Sequence, residues 1–176
     1  MKFSEIPQFT HSCYKCDLPL NYLLHALKRY QEKLGLNLNP DFQRPHVWTT
    51  NQQIAYVEFF LKAPQSGLDI YTNNPEWQRS YKGEFVLVDG KQRLEALTKF
   101  LNNEIPAYGC YYKDYTDKNS LSTLCIHFHV ARLQTKAEIL QWYLDFNSGG
   151  TVHTKEELEK VQTLLKKERK NHANSN

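Results

Sequence analysis

Residues 86–93 constrain this chain more than any other stretch. Val86, Leu87 and Val88 form an apolar run, Asp89-Gly90 ends it, and a helical pattern starts at once. Leu94, Leu97 and Leu101 fall at i, i+3 and i+7, with Ala96 and Phe100 beside them. The stretch reads as buried strand, tight turn and helix N-terminus. Gly90 permits a sharp turn or a close approach of backbone to a ligand. First-turn N–H groups have no intrahelical partner and lie at the positive end of the helix dipole, so an anion suits them. Lys91 and Arg93 add two cationic side chains, with Gln92 between them. Asp89 adds a carboxylate able to hold a base, a metal or Arg93. The same residues also fit a plain capped helix, with Asp89 as N-cap and the basic residues in solvent.

Two further segments carry similar chemistry. In 39–48, Pro40 and Pro45 stiffen the backbone around Gln43 and Arg44, and Phe42 and Trp48 flank that pair. Polar side chains on a stiff loop suit ligand contact; pairing of Arg44 with a carboxylate is the structural alternative. In 147–150, Asn147-Ser148-Gly149-Gly150 leaves backbone N–H groups able to form an anion-binding concavity. Between them, Thr49 or Thr50 caps a helix carrying Ile54, Val57 and Leu61 inward. Glu58 of that helix sits among aromatics, so it needs a cation, Arg44 or Arg93, or a proton.

The rest of the chain frames these segments. Residues 1–17 read as an extended lead-in, and Asp17-Leu18-Pro19 opens a helix that Gly35 stops. Strands are expected around Leu36 and Leu38, at 68–71, at 84–88 in the centre of the sheet, at 105–112 and at 124–130. His127 and His129 fall on the polar face of the last. Residues 76–83 read as a polar excursion. Helices follow from Thr135 to about Phe146, and from a Thr154/Glu157 capping box onward. Residues 18–165 make one domain, and 166–176 a basic, frayed tail.

Composition narrows the class. The chain has 176 residues, 40% hydrophobic and 13% aromatic, enough for one domain with a sizeable core. A net charge of +3 neither requires nor opposes a nucleic-acid partner. No apolar run approaches the roughly 20 residues of a membrane span, and MKFSEIPQFTHS has no secretory core; a cytoplasmic protein is expected. Cys13 and Cys16 form a C-x-x-C, but a zinc site wants a second pair, which His127 and His129 offer only loosely. Free thiols are the default.

Together the motifs resemble a known family. FQRPHVW at 42–48, the helix with Glu58, VDGKQRLEAL at 88–97 and FNSGGTVHT at 146–154 are similar to the ParB/sulfiredoxin-like superfamily. Within it, they resemble the N-terminal domain of GmrSD-type restriction systems, in its short, stand-alone, phage-type form. The resemblance covers roughly residues 36–165. It implies an α+β fold: a small mixed sheet surrounded by helices. It implies a nucleotide-handling domain that binds or hydrolyses a nucleoside triphosphate, with Asp89, Arg93, Gln43, Arg44 and Glu58 as catalytic candidates. Gly90, Lys91, Gln92, Asn147, Ser148, Gly149 and Gly150 would cradle the ligand, and Asp89 would hold Mg²⁺ or another divalent cation. Lys91 stands where the family usually has glutamine. The implied partners are a nucleotide, DNA, a host or phage protein, and a second copy of the chain. A separate HNH-like domain cuts DNA in such systems, and no such motif occurs here. A metal-dependent DNA nuclease and a catalytically silent interaction protein remain the alternatives.

Overall fold

The structure, a computed structural model, describes residues 13–147 and 155–173. Its described elements are β1 (Tyr14–Pro19), α1 (Leu23–Leu34), α2 (Thr50–Leu61), β2 (Asp69–Asn73), β3 (Val86–Asp89), α3 (Lys91–Leu101), β4 (Cys125–Ala131), α4 (Lys136–Asn147) and α5 (Lys155–Ala173). The strands form one mixed sheet in the order β1-β4-β2-β3. β1 runs antiparallel to β4, β4 parallel to β2, and β2 antiparallel to β3. The fold is α+β, as expected.

Strand alternation divides the core in two. Leu87, Ile70, Ile126 and Phe128 point to one face, where α1, α2 and α3 supply Leu23, Leu27, Tyr30, Val57, Phe60, Leu97 and Phe100. Val86, Val88 and Ala131 point to the other, against Ile139, Leu140 and Tyr143 of α4 and Val161 and Leu165 of α5. β3 therefore has Val86, Leu87 and Val88 fully buried although it is an edge strand and not the central one. Its outer edge is covered where Asn37 bridges Val86: Asn37 N donates to Phe85 O and Leu87 N to Asn37 O. Burial on both faces makes an edge strand read like a central one, because an apolar run reports burial and not position.

Other expectations change. The strand around Leu36 and Leu38 reduces to that one bridge, and 105–112 forms a turn with an Ala107–Cys110 bridge and no strand. Residues 14–19 are not a lead-in and helix start. They are an edge strand paired along β4, so the boundary drawn at residue 17 falls inside it. α1 begins at Leu23 after a short 3-10 turn, Leu20–Tyr22. The polar excursion at 76–83 hides a core residue: Trp77 is buried against Tyr30 and Phe85. Thr49 caps α2 through a full capping box with Gln52. The Thr154 end of the box expected on the last helix lies outside the described residues.

Candidate functional site

The junction of β3 and α3 opens into a cleft. Asp89, Gly90, Lys91, Gln92 and Arg93 form its floor, Gln43, Arg44 and Trp48 one wall, and Tyr143, Phe146 and Asn147 the other. Its cavity volume is about 160 Å³. The structure thus brings three sequence-distant segments together. Ser148, Gly149 and Gly150 lie outside the described residues.

Gly90 makes the junction possible. It is the N-cap of α3 with φ +99°, and a Cβ there would stand 2.4 Å from Ile70 Cδ1 and 3.3 Å from the Asp69 carbonyl. No side chain caps α3. Asp89 does not take that role: its Oδ2 accepts from Arg93 Nη2 at 2.6 Å. The same Nη2 donates to the Asp69 carbonyl at 2.9 Å. The first-turn amides of α3 are therefore left to the cleft.

The wall at 42–48 is rigid because the floor holds it. Gln43 Nε2 donates to Leu87 O and Val88 O, at 3.2 and 2.9 Å. Gln92 Oε1 accepts from Val47 N and Trp48 N, and its Nε2 donates to Pro45 O. Lys91 Nζ donates to Arg44 O at 3.0 Å. Burial pushes the Lys91 ammonium below its ordinary range, against the opposing charge of Glu95. Phe42 is buried edge-on to Tyr143, and Lys136 Nζ reaches Asp41 at 2.7 Å. Behind the wall, His46 Nε2 lies 2.8 Å from Gln53 Nε2, and His46 Nδ1 lies 2.9 Å from Glu95 Oε2.

These bonds sort the candidates. The side chains of Gln43, Lys91 and Gln92, expected to touch ligand, bind backbone and build the cleft. Arg44 is the exception: among the described residues its guanidinium makes no ion pair, and it lines the opening beside Tyr143. Burial pushes the Tyr143 hydroxyl up to about 12, with the Arg44 charge acting the other way. Asn147 folds its amide back onto Tyr143 O at 2.6 Å. Glu58 does not meet Arg44 or Arg93. Its carboxylate accepts from Tyr108 N at 2.8 Å, and it is not among the residues lining the cleft. The aromatic setting that suggested a buried carboxylate leaves Glu58 half-buried at the surface, within reach of a turn amide.

Sequence reasoning missed His46, Gln53, Tyr143 and Phe146. His46 stands inside the FQRPHVW motif, so its polarity was visible. Gln53 is an ordinary glutamine until the fold buries it. A divalent cation would find one carboxylate here, Asp89, with one oxygen already on Arg93. Among the described residues no group of three His, Cys, Asp or Glu side chains could hold a metal ion. The donors do not form an all-protein metal cage. They suit only an ion that arrives on a phosphate, as Mg²⁺ commonly does.

The fold and cleft define a class: a small α+β domain with a polar cleft at a strand–glycine–helix junction, backed by a Gln-Arg loop. Within that class the family is shown. The chain belongs to the GmrSD restriction endonuclease N-terminal domain family, whose model matches residues 23–175. Searches of curated proteins and of solved structures give no match. No helix among the described residues is long and apolar enough to cross a membrane.

Proposed function

We propose that the cleft binds the phosphates of a nucleoside triphosphate, and that the chain serves a restriction-type system as its nucleotide-responsive domain. The observation that carries this reading is the uncapped start of α3 at Gly90, facing an open cleft with the Arg44 guanidinium beside it. Backbone amides and the helix dipole favour a polyanion there. Arg44 adds a planar fork matched to phosphate oxygens.

Arg93 has a different role. Bound to Asp89 and to the Asp69 carbonyl, it fixes the turn and supplies positive charge from beneath. Mg²⁺ carried by the phosphates would meet Asp89 and supply charge neutralisation. Hydrolysis, where it occurs, would rest on positioning and electrostatics with no covalent nucleophile.

Thermal denaturation tests the reading. A ligand that binds only the folded state adds about 2.7 kcal/mol at a hundredfold excess over its dissociation constant. At about 2–4 °C per kcal/mol for a domain of this size, the midpoint should rise roughly 5–10 °C. Inorganic tripolyphosphate should reproduce part of the shift, and the nucleoside alone none. No shift from any triphosphate at millimolar concentration, with or without Mg²⁺, would overturn it. Nicking of plasmid in Mg²⁺ without nucleotide would then favour the nuclease alternative.

A further inference from the structure

The polar face of the sheet beyond the cleft carries a second cluster. Cys13, next to β1, presents its Sγ 4.0 Å from His129 Nδ1. His129 Nε2 lies 2.7 Å from Asp69 Oδ1 on the neighbouring strand. The imidazole is also clamped flat against Tyr71, with ring centroids 4.6 Å apart and planes 17° apart. Thiol, imidazole and carboxylate therefore stand in line. Both ring nitrogens are engaged, one by an orienting carboxylate and the other by the sulfur.

Strand alternation separates Cys13 from Cys16. Three positions along an extended strand span about 10 Å and place the two side chains on opposite faces. Cys16 packs against the core and bonds Tyr30, and both thiols are free. The C-x-x-C is thus not a dithiol pair. Each cysteine has its own surroundings, and Cys13 is the exposed one.

We propose that Cys13, His129 and Asp69 form a reactive-thiol site, in which His129 acts as general base for attack by Cys13 on a low-molecular-weight disulfide. Nucleophile, base and orienting group are the three parts such a site needs. Asp69 is a positioning residue: it sets the ring and favours the imidazolium that forms. In the reaction the Cys13 proton passes to His129 Nδ1 as Sγ attacks one sulfur of the reagent. The reagent's S–S bond breaks, a Cys13–S–S–R bond forms, and the departing thiolate takes the proton from His129. Burial pushes the Cys13 thiol up, so it rests protonated and its speed must come from the base. The groups around the imidazole are Asp69 and Tyr71 from β2, His127 from β4 and Lys15 from β1.

The full chain carries its own control in Cys110, also exposed, in the turn bridged to Ala107. The probe is 5,5′-dithiobis(2-nitrobenzoate), with each labelled cysteine located by peptide mass. At pH 7 Cys13 should react about tenfold faster than Cys110. Near pH 9.5 the advantage should vanish, since ordinary thiols with pKa of about 8.5 then ionise unaided. His129→Gln should reduce the Cys13 rate to that of Cys110, and Asp69→Asn should reduce it in part and shift its pH profile. Equal rates for Cys13 and Cys110 in the wild-type chain at pH 7 overturn the proposal without recourse to any variant. So does an unchanged Cys13 rate in a folded His129→Gln chain.

Discussion

Arg44 and Gln92 sit about one cleft, and their single substitutions should separate binding from building. Arg44 makes no ion pair among the described residues, so Arg44→Ala should leave the thermal midpoint close to wild type. A lost charged hydrogen bond is worth about 1.5–3 kcal/mol, so triphosphate affinity should fall at least about tenfold by calorimetry. Gln92 is buried and holds three backbone groups of the wall. Gln92→Ala should cost about 1–3 kcal/mol of stability by denaturant titration, and affinity should fall with it. Arg93→Lys belongs with Gln92. Lysine keeps the charge but loses the fork that spans Asp89 and the Asp69 carbonyl, so stability should drop before binding is considered.

Among the elements, α3 and α2 differ in how they begin. α2 starts with side-chain capping by Thr49 and Gln52, so Thr49→Ala should cost about 1 kcal/mol. α3 starts bare at Gly90. A side chain there would meet a left-handed φ and Ile70 Cδ1 at 2.4 Å, so Gly90→Ala should cost about 2 kcal/mol or more in chemical denaturation. A Gly90→Ala chain as stable as wild type would mean that the junction relaxes, and the cleft floor would then not be rigid. The contrast has a physical reason. A cap satisfies the amides of α2 internally, whereas those of α3 stay available to a ligand.

At the scale of the whole molecule, Asp69 joins three strands. Its carboxylate meets His129 and His127 of β4, Lys15 of β1 lies close by, and its backbone holds Arg93. Burial alone would raise its pKa; the His129 hydrogen bond and the charges of His129, His127 and Lys15 outweigh that, and the net direction is downward from 3.8. A carboxylate with a lowered folded pKa stabilises the fold above its ordinary value, and loses that contribution as pH falls through the lowered one. The midpoint gap between wild type and Asp69→Asn should therefore be fullest near pH 5, where the carboxylate and the charges facing it coexist, narrow below about pH 4 and close in stronger acid. A gap that stays constant through this range would assign the loss to packing and not to charge.

Three things were legible in the sequence: the strand–glycine–helix junction at 86–93, the α+β class, and one site shared by Gln43, Arg44 and Asp89 to Arg93. Local signals suffice for the junction, namely an apolar run, a glycine that permits positive φ and a helical repeat; the class and the shared site came from the family resemblance of the motifs. Tertiary structure alone decided the rest. Whether an apolar strand is central or at an edge depends on what covers its other side, and here Asn37 and α4 cover β3. Whether a glutamine or lysine touches ligand or backbone depends on the distance to a segment some 45 residues away in sequence: Lys91 and Gln92 turn to the wall at 42–48, and Gln43 of that wall turns to β3. Glu58 shows the same limit. Its residue type allowed a cationic partner, but the turn at Tyr108 came within 2.8 Å and took the carboxylate first. Cys13, His129 and Asp69 are 116 and 60 residues apart along their two contacts, and only the register of β1, β4 and β2 brings them into line.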